Sequence, residues 1–163
     1  MIISFSDILY SGDVLKKLIE DENPIAAVVD IDWYESYIGR THHPVSEADN
    51  VIMDKDRKMI KIGKNILPDG VAKDRQGEFI GLWKFNPQGI SIFLNHFDRL
   101  DFILNKTDPF QNSKEWQKSY ITDIFQEMID REEKIHCVLI KKNWLEIDTA
   151  QDFLKVGGEL FNK

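Results

Sequence analysis

Cysteine and long apolar runs are scarce in this sequence. The single cysteine, Cys137, has no partner for an internal disulfide, and its apolar run over 135–140 is typical of a buried strand. No apolar run approaches the roughly 20 residues that a membrane-spanning helix needs. The first residues also lack the basic segment of a signal peptide. These absences predict a cytoplasmic protein in a reducing compartment, with no membrane partner.

Positive charge is also in short supply. The chain has 21 Lys and Arg residues against 28 Asp and Glu residues, which gives a net charge of −7. Because phosphate backbones would repel such a surface, we expect no nucleic acid partner. With 163 residues, of which 42% are hydrophobic, the chain has the length and composition of one globular domain over 1–163.

The spacing of apolar residues predicts an α/β domain. Residues 2–5 and 25–29 are apolar runs typical of strands, and residues 14–19 between them have the spacing of an amphipathic helix. Strand, helix and strand in this order form the unit of a parallel sheet. Further along, the sequence predicts a hairpin over 51–53 and 58–62, a strand over 77–85, helices over 88–104 and 113–132, a strand over 135–140, and a terminal helix capped by Thr149.

Two acidic residues, Asp7 and Asp148, follow apolar runs near opposite ends of the sequence. Taken singly, each has an ordinary interpretation, because Asp is common in turns and near the first turn of a helix. Taken together, two carboxylates at sheet edges have the oxygen ligands that a hard cation prefers when nucleotide phosphates supply the rest. The pair is therefore a candidate metal site.

Several segments, in order, resemble the nucleotidylyltransferase family. They are Ser6–Tyr10, Val29–Trp33 with Tyr37 and Arg40, Glu47–Asp49, Gly77–Leu82, and Trp144–Thr149 followed by Asp152. The similarity is greatest to the phosphocholine and aminoethylphosphonate cytidylyltransferases, including the transferase domains fused to phosphoenolpyruvate mutases. It implies a Rossmann-like three-layer sandwich with a mixed sheet.

The resemblance also implies a reaction. Asp7 and Asp148 would bind Mg²⁺ on the α-phosphate of a nucleotide, expected to be CTP. An oxygen of a small phosphate or phosphonate acceptor would attack that phosphorus in line and release pyrophosphate, so positioning and charge neutralisation carry the rate. Lys64 stands where relatives have a lysine that holds the acceptor phosphate, although Gly63 and Asn65 replace its usual Glu and Pro neighbours in the sugar branch.

Acidic and aromatic residues predict an acceptor with a cationic group, such as phosphocholine or aminoethylphosphonate. The expected substrate-binding residues are Asp32, Trp33, Arg40, Lys64, Glu78, Tyr120, Trp144 and Glu146. The alternative is that the tryptophans are packing residues and the acids are solvated. His42 and His43 are interpreted as loop residues, because adjacent side chains on an extended segment point to opposite faces and cannot share one ion.

One part of the family pattern is missing. Relatives open with a strand and a G-x-G-x-R loop, followed by a P-K pair, which hold the nucleotide; none of these precedes Asp7, and the one glycine pair, Gly157–Gly158, lacks the strand that a phosphate loop requires. We therefore expect an N-terminally incomplete domain. Three interpretations stay open: a fragment of a normal enzyme, a chain that acts with a separate N-terminal half, or an inactive ligand-binding or dimerisation module. Unpaired strand edges would favour a homo-oligomer or a strand-swapped dimer.

Overall fold

The computed structural model describes residues 1–68 and 70–154. The strands of these residues are β1 (Ile2–Ser4), β2 (Ile8–Tyr10), β3 (Ile25–Asp30), β4 (Asp49–Met53), β5 (Met59–Lys64), β6 (Gln76–Phe85), β7 (His136–Ile140) and β8 (Trp144–Glu146). The longer helices are α1 (Gly12–Glu20), α2 (Pro87–Ile103) and α3 (Ile121–Asp130), and residues 150–154 begin a terminal helix. The Gly157–Gly158 pair lies outside the described residues. Within the described ranges, no helix combines the length and the apolar character needed to cross a membrane.

β6 is the central strand of a mixed sheet. The strand order is β5-β4-β6-β3-β7, and β1 pairs with a further part of β6. β3 runs parallel to β7, whereas the pairs of β6 with β1, β3 and β4 are antiparallel, as is the β4–β5 hairpin. All six residues of β3 are buried, as expected for a strand covered on both faces.

Helices cover both faces of this sheet. Successive side chains of a strand point to opposite faces of the sheet. On one face, Ala26 of β3 packs in a cluster with Leu18 of α1. Ala27, on the other face, belongs to a cluster that contains Leu100 of α2 and Phe125 of α3. Full burial of a side chain such as Leu or Phe stabilises the fold by about 1.5–3 kcal/mol. The result is a three-layer α/β sandwich with a mixed sheet, as the sequence predicts.

Two strands share one edge of β6. β4 pairs with residues 76–78 and β1 pairs with residues 82–84, so β1 ends where β4 begins. Between them, Gly81 has a left-handed φ of 76°. The ring of Phe5 lies against Gly81, and a Cβ atom there would be 2.1 Å from Phe5 Cδ2. This gap in the sheet edge places the residues after β1 beside the first residues of β4.

A separate antiparallel ribbon joins distant parts of the chain. β2 pairs with β8, with Ile8 opposite Glu146 and Tyr10 opposite Trp144. The Ile147 N–H donates a hydrogen bond to the carbonyl oxygen of the residue before β2, at 2.9 Å, which extends the ladder. In an antiparallel pair the start of one strand meets the end of the other. The ribbon therefore brings the residue before β2 beside the residues that follow β8.

Two predicted elements differ from the structure. β1 and β3 run in the same direction but are not neighbours, because β6 lies between them. The helix predicted from residue 113 begins only at Ile121, because the Asp123 carboxylate binds the segment before it. That carboxylate accepts hydrogen bonds from the backbone N–H groups of Asn112 and Tyr120 and from the Ser113 hydroxyl. These bonds hold residues 112–120 in a loop.

Candidate functional site

A cavity of about 460 Å³ opens at the gap between β1 and β4. The lining residues are Phe5, Asp7, His43, Glu47, Asp49, Ile62, Gly63, Lys64, Asn112, Ser113, Tyr120, Ile121, Thr122, Asp123, Glu146 and Asp148. Six of these residues are acidic and one is a lysine, so the walls carry an excess of negative charge. A site of this kind favours a cation or a ligand that brings positive charge with it.

The β2–β8 ribbon explains why Asp7 and Asp148 line the same cavity. Asp7 directly precedes β2, and Asp148 lies two residues after the end of β8. The backbone hydrogen bond from Ile147 to Asp7 fixes the two ends beside each other. The two candidate metal ligands, far apart in sequence, thus face one space because of strand pairing.

Arg40 holds the carboxylates at the end of β8. Its side chain is 8% exposed. The guanidinium donates to both oxygens of Asp152, at 2.8 and 3.0 Å, and more weakly to Glu146 at 3.3 Å and Asp148 at 3.4 Å. Burial alone would lower the pKa of Arg40, but its hydrogen bonds and the negative charges around it raise the pKa instead. Arg40 is therefore a permanent cation that joins its loop to the start of the terminal helix, where Asp152 also bonds the cap residue Thr149.

His43 is a site residue that the sequence analysis interprets as part of a loop. Its Nδ1 lies 2.8 Å from Asp148 Oδ2, and its Nε2 lies 3.7 Å from Glu146 Oε2. One ligand atom from each of these three residues lies within 4.8 Å of the other two. His43 lines the cavity and the neighbouring His42 does not, as expected for adjacent side chains on an extended segment. The signal in the sequence was Pro44, which favours an extended backbone at the residue before it.

The environment of Glu146 disfavours its ionised form. Burial raises its pKa above the usual range, and the neighbouring Asp148 carboxylate adds to this effect, while Arg40 partly offsets both. Two acids held this close disfavour simultaneous ionisation unless a cation joins them. The donor set of carboxylates and one imidazole fits a divalent metal ion.

Tyr37 and Glu78 form a buried support behind the site. The Tyr37 hydroxyl donates a hydrogen bond to Glu78 Oε1. Burial raises the pKa of Glu78 to about 8, although the bond from Tyr37 works in the opposite direction. The Tyr37 ring lies 5.2 Å from the Arg40 guanidinium carbon and 6.0 Å from the His43 ring centroid. Glu78 therefore acts on the site through Tyr37, since it does not line the cavity.

Lys64 and Asp49 form the wall contributed by the β4–β5 hairpin. They are directly opposite each other in the strand register. Lys64 Nζ pairs with Glu47 at 2.6 Å, and although burial opposes the shift, this contact and the nearby charges raise the pKa of Lys64. Burial raises the pKa of Asp49 to about 6. Among the described residues, no side chain or backbone group makes a hydrogen bond to the Asp49 carboxylate.

The predicted acceptor residues do not all meet in this cavity. Lys64, Tyr120 and Glu146 line it, and Arg40 contacts it through Glu146 and Asp148. Four others lie outside its lining: Asp32, Trp33, Glu78 and Trp144.

Three of these residues have side-chain partners elsewhere, and Asp32 is bound through its backbone N–H. Trp33 is buried against Tyr37. The Trp144 indole donates to Asp30 at 2.8 Å, and Asp30 also accepts from the backbone N–H of Asp32. Neither tryptophan lines the cavity, and the contacts of both agree with the packing interpretation.

Comparison with known proteins shows which proteins this chain is similar to. No family model matches the sequence. Over 152 residues, the chain is 30% identical to CTP:phosphoglutamine cytidylyltransferase of Campylobacter jejuni, in a match that covers 93% of this chain and 56% of that protein. This similarity supports a relation of the chain to cytidylyltransferase-like proteins of the nucleotidyltransferase family. This confirms the resemblance that the sequence motifs indicate.

Solved structures confirm the fold of this cytidylyltransferase-like chain. The inositol-1-phosphate CTP transferase from T. maritima superposes with a TM-score of 0.65 at 18% identity, over 99% of this chain and 54% of that one. A putative glucose-1-phosphate thymidylyltransferase from Bacillus anthracis gives a TM-score of 0.57 at 12% identity, over 98% and 53% of the two chains. The chain thus spans about half the length of the relatives that it matches.

Proposed function

We propose that this chain contributes the metal and acceptor sites of a cytidylyl transfer, in which a small phosphorylated acceptor attacks CTP and pyrophosphate leaves. The observation that carries the proposal is the common cavity of Asp7, Asp148 and Lys64. Such a transfer uses carboxylates that hold a cation and a cationic group that holds a phosphate, and this cavity has both. The sequence similarity to a CTP-dependent transferase supports the same conclusion.

Asp7 and Asp148 would hold the divalent metal ion, expected to be Mg²⁺. The metal supplies positive charge that neutralises the nucleotide phosphates and the charge that develops on them. Arg40 keeps the Asp148 carboxylate in place through its hydrogen bond, and Asp152 keeps Arg40 in place. The chain's own contribution would therefore be to place two carboxylates at one cavity before the substrates arrive.

Lys64 would bind the acceptor phosphate. Its pair with Glu47 is about half exposed on both sides, and pairs of this kind contribute little free energy. A phosphate dianion can therefore displace Glu47 at small cost. Because the pKa of Lys64 is raised, the ammonium group stays charged at neutral pH and is ready for a phosphate or phosphonate.

The acceptor would carry a positive charge next to its phosphate. Asp49, directly opposite Lys64 in the strand register, faces the same cavity. Side chains opposite each other on paired strands have Cβ atoms about 4.5–5.5 Å apart, so a phosphate on Lys64 brings a short amine tail to Asp49. The exposed ring of Tyr120 lines the same cavity and suits a cationic group. Phosphocholine and aminoethylphosphonate have this chemistry.

Pyrophosphate release with CTP, Mg²⁺ and each of these acceptors tests the proposal. We expect turnover by the chain and a loss of at least about 100-fold in Asp7→Asn and Asp148→Asn, because each removes a charged ligand. Asp56→Asn removes the same charge from an exposed hairpin turn and is the matched control. Normal turnover in both ligand variants would contradict the proposed metal site.

A ligand-binding module is the second candidate function. It is favoured by the cavity itself, in which Lys64, Asp49 and Tyr120 could hold an acceptor without a nucleotide. Titration with phosphocholine or aminoethylphosphonate, followed by tryptophan fluorescence, separates the candidates. Saturable acceptor binding without any pyrophosphate release would establish the binding function and reject catalysis by the chain alone.

A further inference from the structure

The imidazole of His43 is close enough to the carboxylates to bind the same cation. Adjacent ligands of an octahedral ion are about 3 Å apart and opposite ligands about 4.2 Å apart, for bond lengths near 2.1 Å. His43 Nδ1 lies 2.8 Å from Asp148 Oδ2. The set formed with Glu146 spans at most 4.8 Å. Side-chain movements of less than about 1 Å would bring the three residues around one ion.

Arg40 makes only long contacts with Glu146 and Asp148, so these carboxylates could also bind a cation. Its two short hydrogen bonds, at 2.8 and 3.0 Å, go to Asp152. Its contacts with Glu146 and Asp148 are longer, at 3.3 and 3.4 Å. A cation that drew those two carboxylates away would leave Arg40 in its bidentate pair, so no buried charge would lose its partner.

The position of His43 is constrained before any cation binds. Its side chain is 18% exposed, and its ring packs on Tyr37, with the two ring planes tilted by 36°. Pro44 restricts the backbone of the residue before it. His42, by contrast, is exposed and does not line the cavity. An imidazole held in this way needs little ordering when it binds a metal.

We propose that His43 joins Asp148 and Glu146 as a protein ligand of the cation and gives the site a preference for Mn²⁺ over Mg²⁺. The inference rests on the metal site of the proposed function. Mg²⁺ favours oxygen ligands and water, whereas imidazole binds first-row transition metals well. Replacing one oxygen ligand by an imidazole nitrogen therefore strengthens Mn²⁺ binding relative to Mg²⁺ binding. The alternative role is that of a positioning residue that only donates a hydrogen bond to Asp148.

Metal titrations of four proteins distinguish these roles: the chain itself, His43→Ala, His43→Asn and His42→Ala. In His43→Asn, the amide nitrogen of the new side chain would occupy the place of Nδ1 and keep the hydrogen bond to Asp148, but an amide is a poor metal ligand. Free Mn²⁺ is followed by electron paramagnetic resonance, and Mg²⁺ by competition. We expect both His43 variants to lose at least about tenfold in Mn²⁺ affinity and less than about threefold in Mg²⁺ affinity. His42→Ala, the matched control, keeps both affinities.

Pulsed electron paramagnetic resonance of bound Mn²⁺ gives a direct signature. We expect nitrogen hyperfine coupling of a bound imidazole in the chain and in His42→Ala, and its loss in His43→Asn. Thermal unfolding in chelator verifies that each variant is folded. Full Mn²⁺ affinity in His43→Asn, or no nitrogen coupling in the unmodified chain, would overturn the inference while leaving the proposed function intact. If neither Mn²⁺ nor Mg²⁺ binds, both the inference and the proposed metal site are overturned.

Discussion

Substitution of Glu78 by Gln tests the buried support of the site. Glu78 is 3% exposed, and its Oε2 has no hydrogen-bond partner among the described residues. Burial raises its pKa from an ordinary 4.5 to about 8. Gln has the shape of the protonated acid and cannot ionise. The variant therefore isolates the cost of placing a negative charge at this position.

The sign of the effect follows from proton binding. Between pH 4.5 and about 8 the folded chain keeps the proton on Glu78, whereas the unfolded chain has lost it, so stability falls as pH rises through this window. A difference of one in pKa corresponds to about 1.4 kcal/mol. The full effect therefore approaches roughly 5 kcal/mol, and it is complete above about pH 8.

Urea denaturation of the unmodified chain and Glu78→Gln at about pH 5, 7 and 9 measures this effect. We expect the two to have similar stability at about pH 5, and the variant to be more stable by about 3–5 kcal/mol at about pH 9. Tyr37→Phe removes the hydrogen bond that favours the ionised form, so its stability should fall over a window that extends to higher pH. Glu22→Gln removes the same charge at an exposed position and controls for net charge. A stability difference independent of pH would refute the reasoning.

Two further substitutions probe the elements that position the site. Arg40→Gln leaves the buried Asp152 carboxylate without its charged partner. We expect a loss of about 3 kcal/mol and a Tm lower by about 6–12 °C in thermal unfolding; an unchanged Tm would contradict the assigned role. Gly81→Ala combines a left-handed φ with a Cβ that overlaps the Phe5 ring, and we expect a loss of about 2–4 kcal/mol in urea denaturation. Gly12→Ala is its matched control, because a Cβ there meets no atom within 4 Å, and equal losses in the two alanine variants would reject the steric argument.

The fold could be predicted where local patterns determine it. The all-buried strand β3 and the hairpin of β4 with β5 follow from short runs of apolar residues. The helix α2 follows from apolar residues at helical spacing. The start of α3 could not be predicted, because the carboxylate of Asp123 binds residues up to 11 positions earlier in the chain. The insertion of β6 between β1 and β3 depends on pairings over long sequence separations, which apolar periodicity does not encode.

The site was predictable to a similar extent. Residue type and the family motifs identify Asp7, Lys64 and Asp148, and all three line one cavity. The same motifs predict Trp144 as an acceptor residue, yet its indole donates a hydrogen bond to Asp30. Such an assignment requires the direction of a side chain at a strand end, and sequence spacing alone does not supply it. The contribution of His43 depends in the same way on the fold of a loop without regular periodicity.

The β2–β8 ribbon makes the proposed cation site depend on formation of the whole fold. The chain between its two strands contains most of the mixed sheet, so Asp7 and Asp148 meet only when that sheet has formed. A cation that requires both residues binds the native state and not the unfolded chain. By thermodynamic linkage, an ion at about 100 times its dissociation constant adds about 2.7 kcal/mol to the free energy of unfolding. Under the proposed function, the cation would therefore also stabilise the native fold, at the place where two segments distant in sequence pair with each other.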